Sequence, residues 1–305
     1  GPGYGGLDGG TLAVHVPTRR VLTSAFGSLT SWNIAPATGA LTSAGTLALG
    51  GNYLYGVLMS ADGARAYVAD FDADQLVGVS IAANGALSEL PGSPYASADG
   101  TARIAFSMDE TYLYASSESI SVASLRGYAI EADGSLTELA GSPYDQANRT
   151  YTFERAPDAD RFYLGNDTYI SAYEPNAAGD LVEDVALREL MPDNAYLSFS
   201  GAGDRLFALT AAVPVPNEAD LYVFDVAASG LLLEVPGSPF PLTGFPVGAR
   251  IVQANADGSL VLVKASAQAA FHLYSIDGAG IPTEVSGSPF SLEAGAQGSG
   301  IAFTF

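Results

Sequence analysis

The chain has 305 residues, 48% apolar and 15% charged, with 33 acidic against 12 basic residues and a net charge of −21. Such a composition supports a large core and excludes a disordered chain, and the absence of cysteine excludes disulfides and thiolate chemistry. A surface this acidic repels nucleic acid and anionic lipid, and no apolar run reaches the length of a membrane-spanning helix.

Residues 1–10, GPGYGGLDGG, read as a flexible glycine-rich leader. Gly1-Pro2 has the form of a scar left by removal of a tag, so the expectation is that a signal segment has been trimmed away. From Thr11 onward the chain repeats. Units start near Thr11, Tyr53, Ala102, Thr150, Ala195 and Gly248. The second shows the plan: YLYGVLMS, ARAYVAD, QLVGVSIA and ALSELP are four short apolar runs separated by Gly, Asp and Asn, which is strand and turn chemistry. A turn glycine marks each of the six units, at Gly39, Gly85, Gly134, Gly179, Gly230 and Gly280. The tetrapeptide Gly-Ser-Pro-Tyr/Phe begins at Gly92, Gly141, Gly237 and Gly287, spaced 49, 96 and 50 apart, and 96 is twice 48. No stretch of a dozen residues keeps a helical period. Four-stranded units at this spacing predict an all-β fold, a β-propeller occupying residues 11–305 as one domain. Six blades are favoured, with seven as the alternative. TLAVHV (Thr11–Val16) and GIAFTF (Gly300–Phe305) compete for the innermost strand of the first blade, so closure by strands from both termini is expected.

In a propeller the start of each unit lines the central channel, and that is where chemistry is sought. His15 sits on the first such strand, and Asn52 and Tyr53 open the second. Arg103 lies on the third; Arg149, Tyr151 and Arg155 lie at or on the fourth; Asn194 and Tyr196 open the fifth; Arg250 lies on the sixth. Arginine's planar fork suits a carboxylate or phosphate, and tyrosine at a concave mouth can stack on a sugar or small ring. The structural alternatives are ion pairs to neighbouring carboxylates, packing of the tyrosines between blades, and a packed His15. Each Gly-Ser-Pro turn is expected to follow the fourth, outermost strand, where its aromatic residue buries a ring between blades. Packing is expected to differ in the two units without it, which end near Leu47 and Leu187.

Asp70, Asp72 and Asp74 alternate in DFDADQ as calcium ligands do. Gln75 and Ile81 stand where a calcium loop needs Gly and Glu, so a polar loop is the better reading and no metal is expected. Asn148 and Asn166 match the glycosylation sequon, and Thr210–Asp220 reads as the longest loop, a candidate partner contact. No P-loop, Rossmann, Gly-x-Ser-x-Gly or His-Glu-x-x-His pattern is present, so no cofactor is implied.

The pattern DGxxxYV followed by ADGxLTELxGSPY resembles the lactonase-like propellers of bacteria. That group includes 6-phosphogluconolactonase-type and carboxymuconate-cyclising proteins and overlaps the YVTN repeats of surface proteins. The resemblance implies seven blades, against the six units counted, and enzymes that work at the channel mouth with His, Arg and acidic residues. With only His15 and His272, no catalytic residue carries over by position. The expectation is a non-catalytic exported protein, periplasmic or at the cell surface, that presents a loop-rich face to a small anionic ligand or a protein. The alternatives are a lactone-processing enzyme with an arginine-lined channel and a structural subunit of a cell-surface assembly.

Overall fold

The computed structural model describes residues 12–51, 53–119, 124–145, 149–211, 218–243, 249–265 and 270–291. These form six antiparallel sheets in chain order. Sheet I is β1 (Leu12–His15), β2 (Arg20–Ala25), β3 (Ser28–Ile34) and β4 (Leu41–Ala48); sheet II is β5 (Leu54–Met59), β6 (Arg65–Asp70), β7 (Gln75–Ile81), β8 (Leu87–Glu89) and β9 (Tyr95–Ala96). Sheet III is β10 (Thr101–Phe106), β11 (Tyr112–Ser117), β12 (Ser124–Ile130), β13 (Leu136–Glu138) and β14 (Tyr144–Asp145). Sheet IV is β15 (Thr150–Arg155), β16 (Phe162–Asn166), β17 (Tyr169–Pro175), β18 (Leu181–Glu183) and β19 (Glu189–Leu190). Sheet V is β20 (Ala195–Phe199), β21 (Arg205–Ala211), β22 (Glu218–Val226), β23 (Leu232–Glu234) and β24 (Phe240–Thr243). Sheet VI is β25 (Ala249–Ala254), β26 (Leu260–Ala265), β27 (Ala270–Ile276), β28 (Pro282–Glu284) and β29 (Phe290–Ser291). Such consecutive antiparallel sheets are the blades of a propeller architecture. GIAFTF lies outside the described residues, and TLAVHV supplies β1, the strand of sheet I at the opposite edge from β4.

Contacts divide the chain into two compact units. Gly1–Arg149 with Pro175–Leu181 carries sheets I to III, and Thr150–Glu174 with Val182–Gly298 carries sheets IV to VI apart from that turn. Within each, sheet packs on sheet. Leu22 and Leu29 of sheet I meet Leu54, Val57, Val68 and Val77 of sheet II. Tyr67 and Leu76 of sheet II meet Ile104, Leu113 and Tyr128 of sheet III. In the second unit Tyr163 and Ile170 meet Leu197, Leu206 and Phe224. Second strands such as β16 are buried along their whole length. Covered on both faces, β16 carries apolar residues at consecutive positions, Phe162 to Leu164, rather than in alternation. Each fully buried leucine contributes about 1.5–3 kcal/mol.

Two polar joints reinforce this packing. The second-strand tyrosines reach a turn in the next sheet: Tyr67 Oη donates to Gly134 O at 2.7 Å, Tyr114 Oη to Gly179 O at 2.7 Å, and Tyr163 Oη to Gly230 O at 2.8 Å. Buried bonds of this kind contribute about 1 kcal/mol each. Arginines at second-strand starts do similar work: Arg20 donates to Ala82 O and Ala83 O, and Arg205 to Asp277 O.

Each Gly-Ser-Pro turn follows the fourth strand of its sheet, as expected, but does not end the sheet. The chain does not leave the sheet there; it turns into a fifth strand on the same edge. Both β8 and β9 pair with β7, leaving a gap between Val79↔Glu89 and Leu76↔Tyr95. A strand's N–H groups need partners along its length. Ser93 fills the gap, its Oγ accepting from Gly78 N at 3.1 Å. Ser142, Ser238 and Ser288 do the same for Gly127, Val223 and Leu273, at 3.3, 3.2 and 3.2 Å. All four Ser-Pro bonds are cis. Tyr95 and Tyr144 are buried against the glycine that the serine caps, whereas Phe240 and Phe290, paired with Leu221 and Phe271, are half-buried. The two units lacking the motif solve the edge differently. Sheet IV uses a 3-10 turn, Val185–Leu187, capped by Asp184. In sheet I the long β4 pairs with all of β3, so no fifth strand forms.

Candidate functional site

Arg103 stands just past a register shift in β10, near the end where that strand starts and β11 finishes. Glu118 follows β11 and is fixed there because its N–H donates to Gly100 O at 2.9 Å. Arg103 Nη2 lies 2.6 Å from Glu118 Oε1 and Arg149 Nη2 lies 3.5 Å from Glu118 Oε2. The 2.6 Å approach is an ion pair without a well-directed hydrogen bond. The Arg103 and Glu118 side chains are 7% and 3% exposed, that of Arg149 33%. Two guanidiniums thus gather on one buried carboxylate. Asp99, on the adjoining loop, takes the Ser119 hydroxyl on its exposed carboxylate at 2.8 Å. Ser117 and Thr101 tie the 97–101 loop beneath, through Asp99 O and Ala98 O.

Beside this cluster stand rings of sheet II. Tyr53 and Tyr55 are stacked with centroids 6.5 Å apart, and Phe71 meets Tyr55 edge-on at 5.0 Å. Phe71 reaches the site through Gly100, where a methyl group would lie 3.2 Å both from the ring and from Ser119 N. Tyr53 is 44% exposed.

The second unit has its own cluster. Tyr151, on the register shift of β15, donates to Asp167 Oδ1 at 2.7 Å. Asn194, with its amide set so that Nδ2 donates, reaches Asp167 Oδ1 at 2.9 Å, Asp193 Oδ1 at 3.2 Å and Tyr151 Oη at 3.2 Å. Tyr151 and Tyr196 are buried, and their rings pack on each other at 5.4 Å.

Other candidates fall elsewhere. Arg155 is the last residue of β15, at the end opposite to the Tyr151 cluster, and bonds the carbonyls of Ala156 and Ala159 in its own turn. His15 ends β1; Nδ1 takes Thr18, Nε2 donates to Ala61 O at 2.9 Å, and the ring is buried, which is the packed alternative. Asn52, Asn148 and the side chain of Arg250 lie outside the described residues, as does the middle of the Thr210–Asp220 loop, whose flanks belong to β21 and β22. Asn166 is buried, its side-chain oxygen accepting from Thr168 N and Tyr169 N. The aspartates of DFDADQ diverge: Asp70 is buried and accepts from Gln75 Nε2 at 3.1 Å, Asp74 accepts from Gly100 N at 2.8 Å, and Asp72 is exposed. Among the described residues no group of three His, Cys, Asp or Glu could hold a metal ion.

Burial lifts the Asp70 carboxyl above the usual carboxylate range, against hydrogen bonds from Gln75 and Ala73. The folded state therefore disfavours the ionised form, and that penalty is relieved as pH falls through the folded pKa toward the unfolded value near 3.9. Asp70→Asn, which carries no charge, is expected to gain on wild type at pH 7 and lose that gain by about pH 4. Urea midpoints at the two pH values check this; a gap that does not change with pH contradicts it.

Three residues escaped sequence reasoning: Phe71, Glu118 and Asp167. Each stands four residues after its sheet's strut tyrosine, Tyr67, Tyr114 or Tyr163, just past the second strand. Phe26, 77% exposed, holds the matching place after Leu22. That constant offset filled by changing chemistry was the available signal. Lys264, the only lysine, was also passed over; it is buried in β26 and its Nζ donates to Ala265 O.

No family model matches the sequence, and no curated protein matches it. Solved structures do match in fold. The periplasmic gluconolactonase PpgL of Pseudomonas aeruginosa superposes with TM-score 0.74 at 16% identity, over 90% of this chain and 84% of that one. A protein of Bacteroides fragilis, provisionally assigned as a 6-phosphogluconolactonase, gives 0.71 at 15%, over 92% and 84%. Kuenenia stuttgartiensis hydrazine synthase gives 0.63 at 14%, over 88% and 76%, so the architecture hosts unrelated chemistry. By its blade sheets and these neighbours, the chain has the fold of the lactonase-like β-propeller proteins.

Proposed function

We propose that the protein binds a small ring-bearing anion, of the sugar-acid class, at Arg103, Glu118 and Arg149. The observation that carries this reading is the gathering of two guanidiniums on the buried Glu118 carboxylate, with Arg149 a third exposed, in a chain that has only 12 basic residues. Arg149, a third exposed, can offer its fork to a carboxylate or phosphate while Arg103 stays locked to Glu118. The rings of Tyr53, Tyr55 and Phe71 supply an apolar wall of the kind such sites use. Tyr151, Asn194 and Tyr196 form a satisfied cluster that shapes the second unit and makes a poorer docking surface.

Export to the periplasm or cell surface fits the acidic composition and the location in the name of one neighbour. Among the described residues no helix is long and apolar enough to cross a membrane. The six sheets among the described residues favour six blades over seven, and we read residues 11–305 as one domain.

A second reading is lactone hydrolysis, favoured by the fold shared with a gluconolactonase. Calorimetry with gluconate and 6-phosphogluconate tests the first reading: binding is expected, with Arg149→Ala weakening it tenfold or more, about 1.4 kcal/mol. Acid release from the corresponding lactones, followed in a pH-stat, tests the second. Turnover abolished by Arg149→Ala makes the site catalytic; binding without turnover makes it a receptor site.

A further inference from the structure

Five of the six sheets end in edges that resist a further strand. Their fourth strands are three residues long, and each ends in glutamate: Glu89, Glu138, Glu183, Glu234 and Glu284. Their fifth strands are two residues long, except β24, which has four and carries Pro241. Short length, charge and proline are how proteins keep edge strands from pairing with other chains.

Sheet I lacks these guards. β4 runs eight residues, Leu41–Ala48, with no charge and no proline. The whole stretch Val21–Ser60 has no charged residue, in a chain with 33 acidic and 12 basic ones. Leu41, Thr42, Ser43, Thr46 and Ala48 are exposed. One edge of β4 takes β3, and one face rests on the next sheet, where a methyl on Gly45 would meet Gly85 O at 3.4 Å. The other edge has no described strand. One guard remains: a register shift leaves Ala44 unpaired between Ser43 and Gly45. The edge therefore offers a straight run at Gly45–Ala48.

We propose that β4 is the edge through which two copies of this chain associate, pairing antiparallel about a two-fold axis at Thr46, so that each Thr46 lies opposite its mate. Charge selects the occupant. Copies carrying −21 repel wherever acidic surfaces meet. A strand without charged residues is where they can approach with the fewest like charges opposed. Antiparallel pairing of one edge with itself is self-complementary, the requirement of a two-fold interface. A basic partner would call for an acidic edge, which the other five sheets have and this one does not.

Sedimentation of the full chain over a concentration series tests the proposal, at 0.15 and 0.5 M salt. A monomer–dimer equilibrium is expected that strengthens with salt, and Thr46→Glu and Ala48→Glu should each weaken it at least tenfold. The chain has no cysteine, so single-cysteine variants give a readout independent of those substitutions. Thr46→Cys should cross-link copies on oxidation, and Ser88→Cys on β8 should not. A monomer at every concentration, a dimer unchanged in both glutamate variants, or equal cross-linking by the two cysteine variants overturns it. So does an edge that captures another protein while the chain alone stays monomeric.

Discussion

Arg103→Met is expected to destabilise the protein by about 3–5 kcal/mol, the cost of leaving a buried charge without its partner. The Glu118 side chain is 3% exposed and its tight contact is the 2.6 Å approach of Arg103. Arg149, at 3.5 Å, remains as a looser partner, which places the loss toward the lower end of that range. Replacing the pair together, Arg103→Met with Glu118→Leu, should recover most of the loss, because a buried ion pair exchanged for apolar side chains of similar volume is often near neutral. Urea denaturation of the two single variants and the double variant measures this. A double variant as unstable as the single ones would show that the cost comes from lost packing and not from the uncompensated carboxylate.

Gly165→Ala is expected to cost about 3 kcal/mol, the upper end for overpacking a core. A methyl there would lie 2.1 Å from Ala195 O, and a backbone carbonyl cannot swing aside as a side chain can. Sheets IV and V would have to separate along β16 and β20. The same register place holds Leu209 in β21, so the requirement belongs to this contact and not to the repeat. Gly39→Ala is the comparison. Its φ is +70° but nothing lies within 4 Å of the new methyl, so it should lose only about 1 kcal/mol from backbone strain. Similar losses for the two would contradict the steric account.

Much of the fold was legible because it repeats. The unit starts near Thr11, Tyr53, Ala102, Thr150, Ala195 and Gly248 fall within a residue of β1, β5, β10, β15, β20 and β25. The fifth strands were not legible, since two residues such as Tyr95–Ala96 carry no period. Their existence follows from N–H groups on β7 that β8 leaves unpaired, which is a tertiary demand. Arg103 and Arg149 were legible because strand starts gather at one end. Arg155 was misplaced by its position along the strand, at the last residue of β15 where Arg103 is third in β10. Glu118 and Asp167 were not legible, because a repeat marks only what recurs at each offset. At this offset the residue changes even among the three sheets that share the tyrosine four places earlier, Tyr67, Tyr114 and Tyr163.

The most direct test is a calorimetric titration of 6-phosphogluconate into wild type, Arg149→Ala and Arg155→Ala at 0.05 and 0.3 M salt. Saturable binding by wild type is expected, weaker at the higher salt as screening shortens. Arg155→Ala should bind as wild type does and Arg149→Ala at least tenfold less well. No binding by wild type, or an equal loss in the two variants, would contradict an anion site at Arg103, Glu118 and Arg149.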